Sequence, residues 1–129
     1  MAGNDERDFR FPRAVRMRRR RDFARTIRDG RTVAGDAFVI HCLPVSGEGR
    51  LLGVVCGRRV GKAVVRNRAK RRLREIFRTH PELFRDGFWF VAVAKPPIAD
   101  RNFKTLEKDV VAALAELTRG KYGKAKESD

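Results

Sequence analysis

The hydrophobic residues of this chain recur with two periods, one typical of helices and one typical of strands. Residues 63–78 contain no Gly or Pro, and winding them at 100° per residue gathers their apolar side chains into one stripe. That stripe consists of Val65, Ala69, Leu73, Ile76 and Phe77. Residues 102–119 form a second stripe, which consists of Phe103, Leu106, Val110, Ala113, Leu114 and Leu117. The pattern predicts two amphipathic helices that cover a core.

Three shorter apolar runs have the composition of β-strands: residues 36–45 (DAFVIHCLPV), 51–56 (LLGVVC) and 88–95 (FWFVAVAK). In the first run, alternation places Phe38, Ile40 and Cys42 on one face and Val39 and His41 on the other. The second run is apolar throughout, which favours a central strand. The third is apolar on both faces and is stopped by two prolines.

A short helix is predicted before the first strand. Asp22 is a suitable N-cap, and Gly30 is a suitable stop for a helix that ends near Asp29. Phe23 and Ile27 are four residues apart and share its apolar face. For an isolated helix the default interpretation is that two such residues pack inward.

The resulting order is helix, strands, helix, strand, helix, so the fold class is α+β, a compact α–β sandwich. Residues 51–56, the long helix and residues 88–95 form a β–α–β crossover, which implies parallel pairing of the two strands. Parallel crossovers of this kind are generally right-handed. The length of 129 residues suits a single domain, predicted at residues 13–119, with a flexible N-terminal segment 1–12 and a polar tail 120–129.

Charge adds a functional signal to this pattern. The formal net charge is +15, and Arg outnumbers Lys. The segment from residue 58 to residue 74 contains no acidic residue, although like charges four residues apart destabilise a helix. Its candidate RNA-binding residues are Arg58, Arg59, Lys62, Arg66, Asn67, Arg68, Lys70, Arg71, Arg72 and Arg74. Such a face indicates a polyanionic partner, because guanidinium groups fit phosphate oxygens; the alternative is a solvated helix with an accidental excess of Arg.

Other chemistry is poorly supported. Gly57, Gly61 and Lys62 resemble a phosphate-binding loop, but three residues separate the glycines instead of four, and Ala63 stands where Ser or Thr is required. The cysteines and histidines match no zinc spacing, and the acids are scattered. We therefore expect no catalytic residue and no metal site on the protein. The absence of a long apolar run and the two cysteines within apolar runs favour a reduced, cytoplasmic protein without a membrane span.

Residues 60–75 (VGKAVVRNRAKRRLRE) resemble the signature helix of the protein subunit of bacterial ribonuclease P, and the likeness extends over most of the chain. The Arg-Asn-Arg at positions 66–68 is its most specific part. The resemblance implies an α–β sandwich whose crossover is left-handed. It also implies two RNA partners, the catalytic RNA of ribonuclease P and precursor tRNA. The RNA, with Mg²⁺ that it mainly binds itself, would remove the 5′ leader, and the protein would be a non-catalytic subunit.

The same resemblance implies roles for particular residues. The basic helix would contact the catalytic RNA and border the leader path. A central cleft for the single-stranded leader would be lined by Phe23, Ile27, Val39 and His41. Ile27 and His41 stand where many family members have aromatic residues, and this difference bears on the strength of base stacking.

Two other classes of protein share some of these features. A ribosomal protein or RNA chaperone would have similar charge but would bind many RNAs alike. A protein-only nuclease would need clustered acids. The family resemblance implies no protein partner and no membrane partner.

Overall fold

A computed structural model describes residues 13–46 and 49–119. Within them the chain forms three α-helices, four β-strands and three short 3₁₀ turns. The helices are α1 (Arg20–Asp29), α2 (Ala63–Arg78) and α3 (Phe103–Thr118). The strands are β1 (Arg31–Ala34), β2 (Phe38–Pro44), β3 (Arg50–Val55) and β4 (Phe88–Ala94). The 3₁₀ turns are Arg13–Val15, Arg58–Val60 and Pro96–Asp100. The predictions for segments 1–12 and 120–129 lie outside the described residues.

The strands form one mixed sheet in the order β1-β2-β4-β3. β2 pairs antiparallel with both β1 and β4, whereas β3 pairs parallel with β4. Helix α2 connects the two parallel strands, which confirms the predicted β–α–β unit and the α+β class. The left-handed sense of this crossover stays a prediction from the family resemblance.

The predicted central position of β3 is wrong, because β2 and β4 occupy the centre of the sheet. An apolar strand can stand at the edge here because the chain before α1 covers it. Arg16 forms a parallel bridge with Leu52, and the Met17 amide donates to the Leu52 carbonyl oxygen at 2.9 Å. The other edge strand, β1, has only four residues, and its RTVA sequence is too short and too polar for an apolar pattern to predict it.

Helices α2 and α3 cover one face of the sheet and enclose the core with it. The buried core includes Leu73 and Phe77 of α2, Phe90 of β4 and Leu114 of α3. The Phe77 ring meets the rings of Phe84 and Phe90 edge-on, with centroids 5.5 Å apart in both pairs. The two predicted stripes form this surface, with Val65 and Phe103 at its partly buried border.

Helix α1 lies on the opposite face of the sheet. The predicted N-cap is wrong: Arg19 occupies the cap position, and Asp22 lies in the first turn of the helix. A carboxylate in the first turn still favours the helix through the helix dipole. The predicted end at Asp29 is confirmed, and no helix in the described part of the chain is long and apolar enough to cross a bilayer.

Candidate nucleic-acid interface

The face of the sheet that carries α1 is built from cross-strand rows of small and apolar side chains. Gly53 of β3 pairs with Val91 of β4, and Val91 pairs with His41 of β2. In the next row, Val55 pairs with Val93, and Val93 pairs with Val39. Residues in register on neighbouring strands share a face of the sheet. The predicted cleft residues Val39 and His41 therefore lie on one face, opposite the core.

Phe23 of α1 packs against this face of the sheet. A Cβ atom added to Gly53 would lie 2.3 Å from Cε1 of the Phe23 ring, so the ring rests directly on the glycine backbone. Ile27 follows one helical turn later and is 40% exposed, and Val55 is 37% exposed. The structure thus brings Phe23 and the row containing His41 together, with an accessible apolar surface beside them.

His41 is held in place by its neighbour on β1. Its Nδ1 atom lies 2.8 Å from the Thr32 hydroxyl oxygen, across the β1–β2 pair. Burial lowers the pKa of His41. The imidazole is consequently neutral over a wider pH range than in water, and a neutral ring offers a flat face and its Nε2 atom to a base.

The basic residues of α2 divide between two borders of the helix. The charges of Lys70 and Arg66 act to lower the pKa of the Cys56 thiol, which directly follows β3, and Arg74 lines a pocket together with Leu52 and Val54 of that strand. This border runs along the outer edge of β3. The Arg66 guanidinium also donates to the Gly61 carbonyl oxygen at 2.7 Å, which ties the start of the helix to the preceding turn.

The other border has a partly structural role. The Arg72 guanidinium donates to the Arg101 carbonyl oxygen at 2.8 Å and so joins α2 to the segment before α3. Six residues of the predicted RNA-binding set are exposed. Three lie between or beside the two borders of the helix, namely Asn67, Arg68 and Arg71, and three precede the helix, namely Arg58, Arg59 and Lys62. At the C-terminal end of α2, Arg78 forms an ion pair with Glu75, in which Nη2 of Arg78 lies 2.6 Å from Oε2 of Glu75.

Gly61 explains the turn between β3 and α2. Its φ of +151° is unfavourable for residues with a side chain, and an added Cβ would lie 3.2 Å from Cβ of Val65. Gly57 has an ordinary φ of −83°. Of these two glycines, Gly61 is therefore the one whose backbone conformation disfavours a side chain.

The predicted RNA-binding set leaves out three arginines that lie beside this interface. Arg13, Arg16 and Arg18 line a pocket with Arg74 at the outer edge of β3. The available signal was the run of arginines from position 13 to position 21, but its placement required knowledge of which strand lies at the edge.

Among the described residues, no group of three or more His, Cys, Asp or Glu is placed to hold a metal ion. Burial raises the pKa of the Cys42 thiol to about 12 and raises that of Cys56 as well. Both thiols therefore stay protonated at neutral pH and are poor nucleophiles and poor metal ligands.

Comparison with known proteins decides the family. A model of the family described as Ribonuclease P matches residues 11–118. The chain belongs to the bacterial ribonuclease P protein family. It is 35% identical over 111 residues to the ribonuclease P protein component of Dictyoglomus thermophilum, covering 84% of this chain and 91% of the relative. It is 40% identical over 108 residues to that of Beutenbergia cavernae, covering 83% and 91%.

Solved structures of this family share the fold. The ribonuclease P protein of Thermotoga maritima superposes with a TM-score of 0.71 at 30% identity, covering 78% of this chain and 96% of that one. The Staphylococcus aureus protein superposes with a TM-score of 0.74 at 25% identity, covering 82% and 97%. Membership of the family makes the chain a subunit of an endoribonuclease ribonucleoprotein that acts in tRNA processing, with RNA as its partner.

Proposed function

We propose that this subunit binds the catalytic RNA of ribonuclease P and the 5′ leader of precursor tRNA together, and so assists removal of the leader. The observation that supports the proposal is that two surfaces on opposite faces of the sheet meet at its β3 edge. An accessible apolar cleft beneath α1 lies next to β3, and the basic border of α2 runs along the same strand. A single-stranded RNA needs both features, because its bases stack on flat or apolar side chains while its phosphates need cations.

In this proposal the domain 13–119 is the RNA-binding unit. Phe23, Ile27, Val39 and His41 contact leader bases, and the exposed residues Arg58, Arg59, Lys62, Asn67, Arg68 and Arg71 contact RNA phosphates and sugars. Arg66, Lys70, Arg72 and Arg74 are half-buried and add charge from the borders of the helix. Ile27 has no ring, so the base beside it would gain less stacking energy than the base at Phe23.

Mg²⁺ enters this proposal as an ion held by RNA. The described interface is rich in guanidinium and ammonium groups and holds no set of carboxylates or imidazoles suited to the ion. Phosphate oxygens of the catalytic RNA are hard ligands of the kind that Mg²⁺ prefers. The positive charge of the protein would lower the repulsion between the RNA strands that meet around these ions. We propose that the protein acts in the cytoplasm and without a protein partner.

The test is cleavage of a precursor tRNA at low Mg²⁺ concentration with this protein alone, a bacterial ribonuclease P RNA alone, and both together. We expect leader removal only with both, because the protein supplies cations that low Mg²⁺ does not. Cleavage by the protein alone would contradict the proposed division of labour. Tight RNA binding without any effect on cleavage would favour a ribosomal or chaperone-type role instead.

A further inference from the structure

Trp89 is the only tryptophan of the chain, and alternation along β4 places it on the face of the sheet that carries α1. It is in register with Leu43 of β2 and Leu51 of β3, so these three side chains form a cross-strand row. Phe23 rests on the next row, at Gly53, and the row of three valines lies beyond that one. Trp89 and the valine row therefore lie on opposite sides of the Phe23 ring.

Helix α1 places an arginine over this tryptophan. The Cζ atom of Arg25 lies 5.5 Å from the centre of the Trp89 ring, which is within the range of a cation–π contact. Trp89 is half-buried and Arg25 is exposed, so the guanidinium group lies between the sheet and the solvent. At 100° per residue, Arg25 lies on the other side of α1 from Ile27. Arg25 thus occupies the flank of the helix that faces away from the proposed leader cleft.

Two other arginines that lie over aromatic rings use their donors within the protein. Arg50 lies over the ring of Phe84 and donates to the Phe84 carbonyl oxygen at 2.6 Å. Arg85 lies over the ring of Phe88 and donates to the Thr118 carbonyl oxygen at 3.4 Å. At both of these places the ring-held guanidinium belongs to the internal hydrogen bonding of the fold.

Arg25 differs from these two arginines in the use of its donors. No hydrogen bond or ion pair in the described part of the chain involves its guanidinium. Its charge acts on Asp29, but both oxygens of that carboxylate are bonded to Arg28, at 2.9 and 3.1 Å. The N–H donors of Arg25 are therefore open to a ligand, and the contact with the Trp89 ring restricts their orientation before a ligand binds.

We infer that Arg25, held in place by Trp89, binds a phosphodiester group of the catalytic RNA. A phosphate fits because the planar fork of a guanidinium matches two of its oxygens, and the contact with the ring leaves the positive charge of the group in place. The catalytic RNA is the source because a leader strand in the cleft would have to pass around α1 to reach Arg25. This inference rests on the proposed function, which supplies the two RNAs, and adds a contact that the predicted RNA-binding set leaves out.

The experiment compares two exposed arginines of α1 that differ in their contacts. Arg25→Gln removes the proposed phosphate ligand. Arg21→Gln is the control, because it removes the same charge one helical turn earlier, from an arginine without a ring contact among the described residues. Arg25→Lys keeps the charge but loses the fork. Trp89→Leu keeps an apolar side chain in the row and removes the ring; urea unfolding establishes that each variant is folded.

Affinities are measured at several salt concentrations for the catalytic RNA and for a single-stranded RNA oligonucleotide of leader sequence. We expect Arg25→Gln to lose about tenfold in affinity for the catalytic RNA and to make the salt slope shallower by about 0.7 to 0.9. Arg21→Gln should lose clearly less, and Arg25→Lys should fall between the two. For the leader oligonucleotide, Arg25→Gln should lose no more than the control. The fluorescence of Trp89 should change when the catalytic RNA binds the unaltered protein.

A double variant, Arg25→Gln with Trp89→Leu, tests whether Trp89 acts through Arg25. We expect Trp89→Leu alone to weaken binding of the catalytic RNA by about threefold, because Arg25 keeps its charge and loses its fixed orientation. The double variant should lose no more than Arg25→Gln alone. Additive losses would overturn the positioning role of Trp89.

The outcomes separate this inference from the proposed function. Equal losses for Arg25→Gln and Arg21→Gln would overturn the phosphate site, because general attraction of charge would explain both. Loss confined to the leader oligonucleotide would overturn the catalytic RNA as the partner of Arg25. If the unaltered protein binds the catalytic RNA but fails to assist cleavage, the proposed function fails, and the comparison of the two arginines still decides whether Arg25 contacts a phosphate.

Discussion

Gly53 shows how one residue without a side chain can position another residue of the proposed leader cleft. The Phe23 ring occupies the space where a Cβ at position 53 would lie, and Gly53 itself is buried in the strand. The flat backbone of a glycine lets an aromatic ring approach the sheet closely. The orientation of the ring in the cleft therefore depends on a residue that makes no polar contact of its own.

Gly53→Ala should destabilise the protein by about 1–3 kcal/mol, because the new methyl group and the Phe23 ring cannot occupy the same space. The free energy of unfolding from urea titration is the measurement. Gly57→Ala is the matched control, since a Cβ there meets nothing within 4 Å and φ is −83°. The control should be unchanged or slightly more stable. Equal stability of the two variants would show that the ring moves aside without cost.

Helix α2 combines two functions that its sequence does not separate. Its apolar stripe packs on the sheet, and its basic residues look alike in the chain. In the structure they differ, because Arg72 is bonded to the Arg101 carbonyl whereas Arg68 is exposed. One arginine thus holds α2 to the segment before α3, and the other is exposed to solvent.

Arg72→Ala should lower the free energy of unfolding by about 1–3 kcal/mol, since it leaves a carbonyl without its charged donor. Arg68→Ala should change stability by less than about 0.5 kcal/mol, as expected for an exposed site, yet weaken binding of the catalytic RNA. Urea unfolding and RNA titration on the same two proteins give the comparison. A fully stable Arg72→Ala protein would argue against the role of this hydrogen bond.

At the scale of the whole molecule, two pockets at opposite edges of the described sheet differ in the charge of their lining. The sheet order places β3 and β1 at opposite edges. Arg13, Arg16, Arg18 and Arg74 lie at the β3 edge, whereas Asp36, Asp109 and Glu116 line a groove beside β1 and α3. A protein with this arrangement would approach RNA with the β3 edge first, because the net field attracts phosphates on that side.

Affinity for RNA should therefore fall steeply as salt rises, with a slope of about −0.7 to −0.9 in log–log terms for each neutralised phosphate. Filter binding across a range of KCl concentrations measures it. Glu116→Gln changes the net charge by one unit in the groove beside β1 and α3 and should leave the salt slope unchanged. Arg68→Gln should make the slope shallower by the contribution of about one phosphate contact. Nearly flat binding in the unaltered protein would contradict the electrostatic interface.

The sequence by itself determined the local features of this protein. The bounds of α2 follow from a run without Gly or Pro, the alternation of Phe38, Val39 and Ile40 assigns the two faces of β2, and the acid-free run of arginines indicates RNA. Each of these features follows from the period of a helix or strand, or from local composition. Both can be read from residues that are close together in the chain. The family resemblance supplied the cleft residues, which periodicity alone would have assigned to ordinary packing.

Only the tertiary structure decided which distant segments meet. It placed β3 at an edge, added the short strand β1, set Phe23 on Gly53 and brought Arg16 next to Arg74. It also assigned Arg72 to a hydrogen bond within the protein. These features depend on strand order and on the packing of helices across the sheet. The contacts join residues that are far apart in the chain, and no periodic pattern in the sequence links such residues.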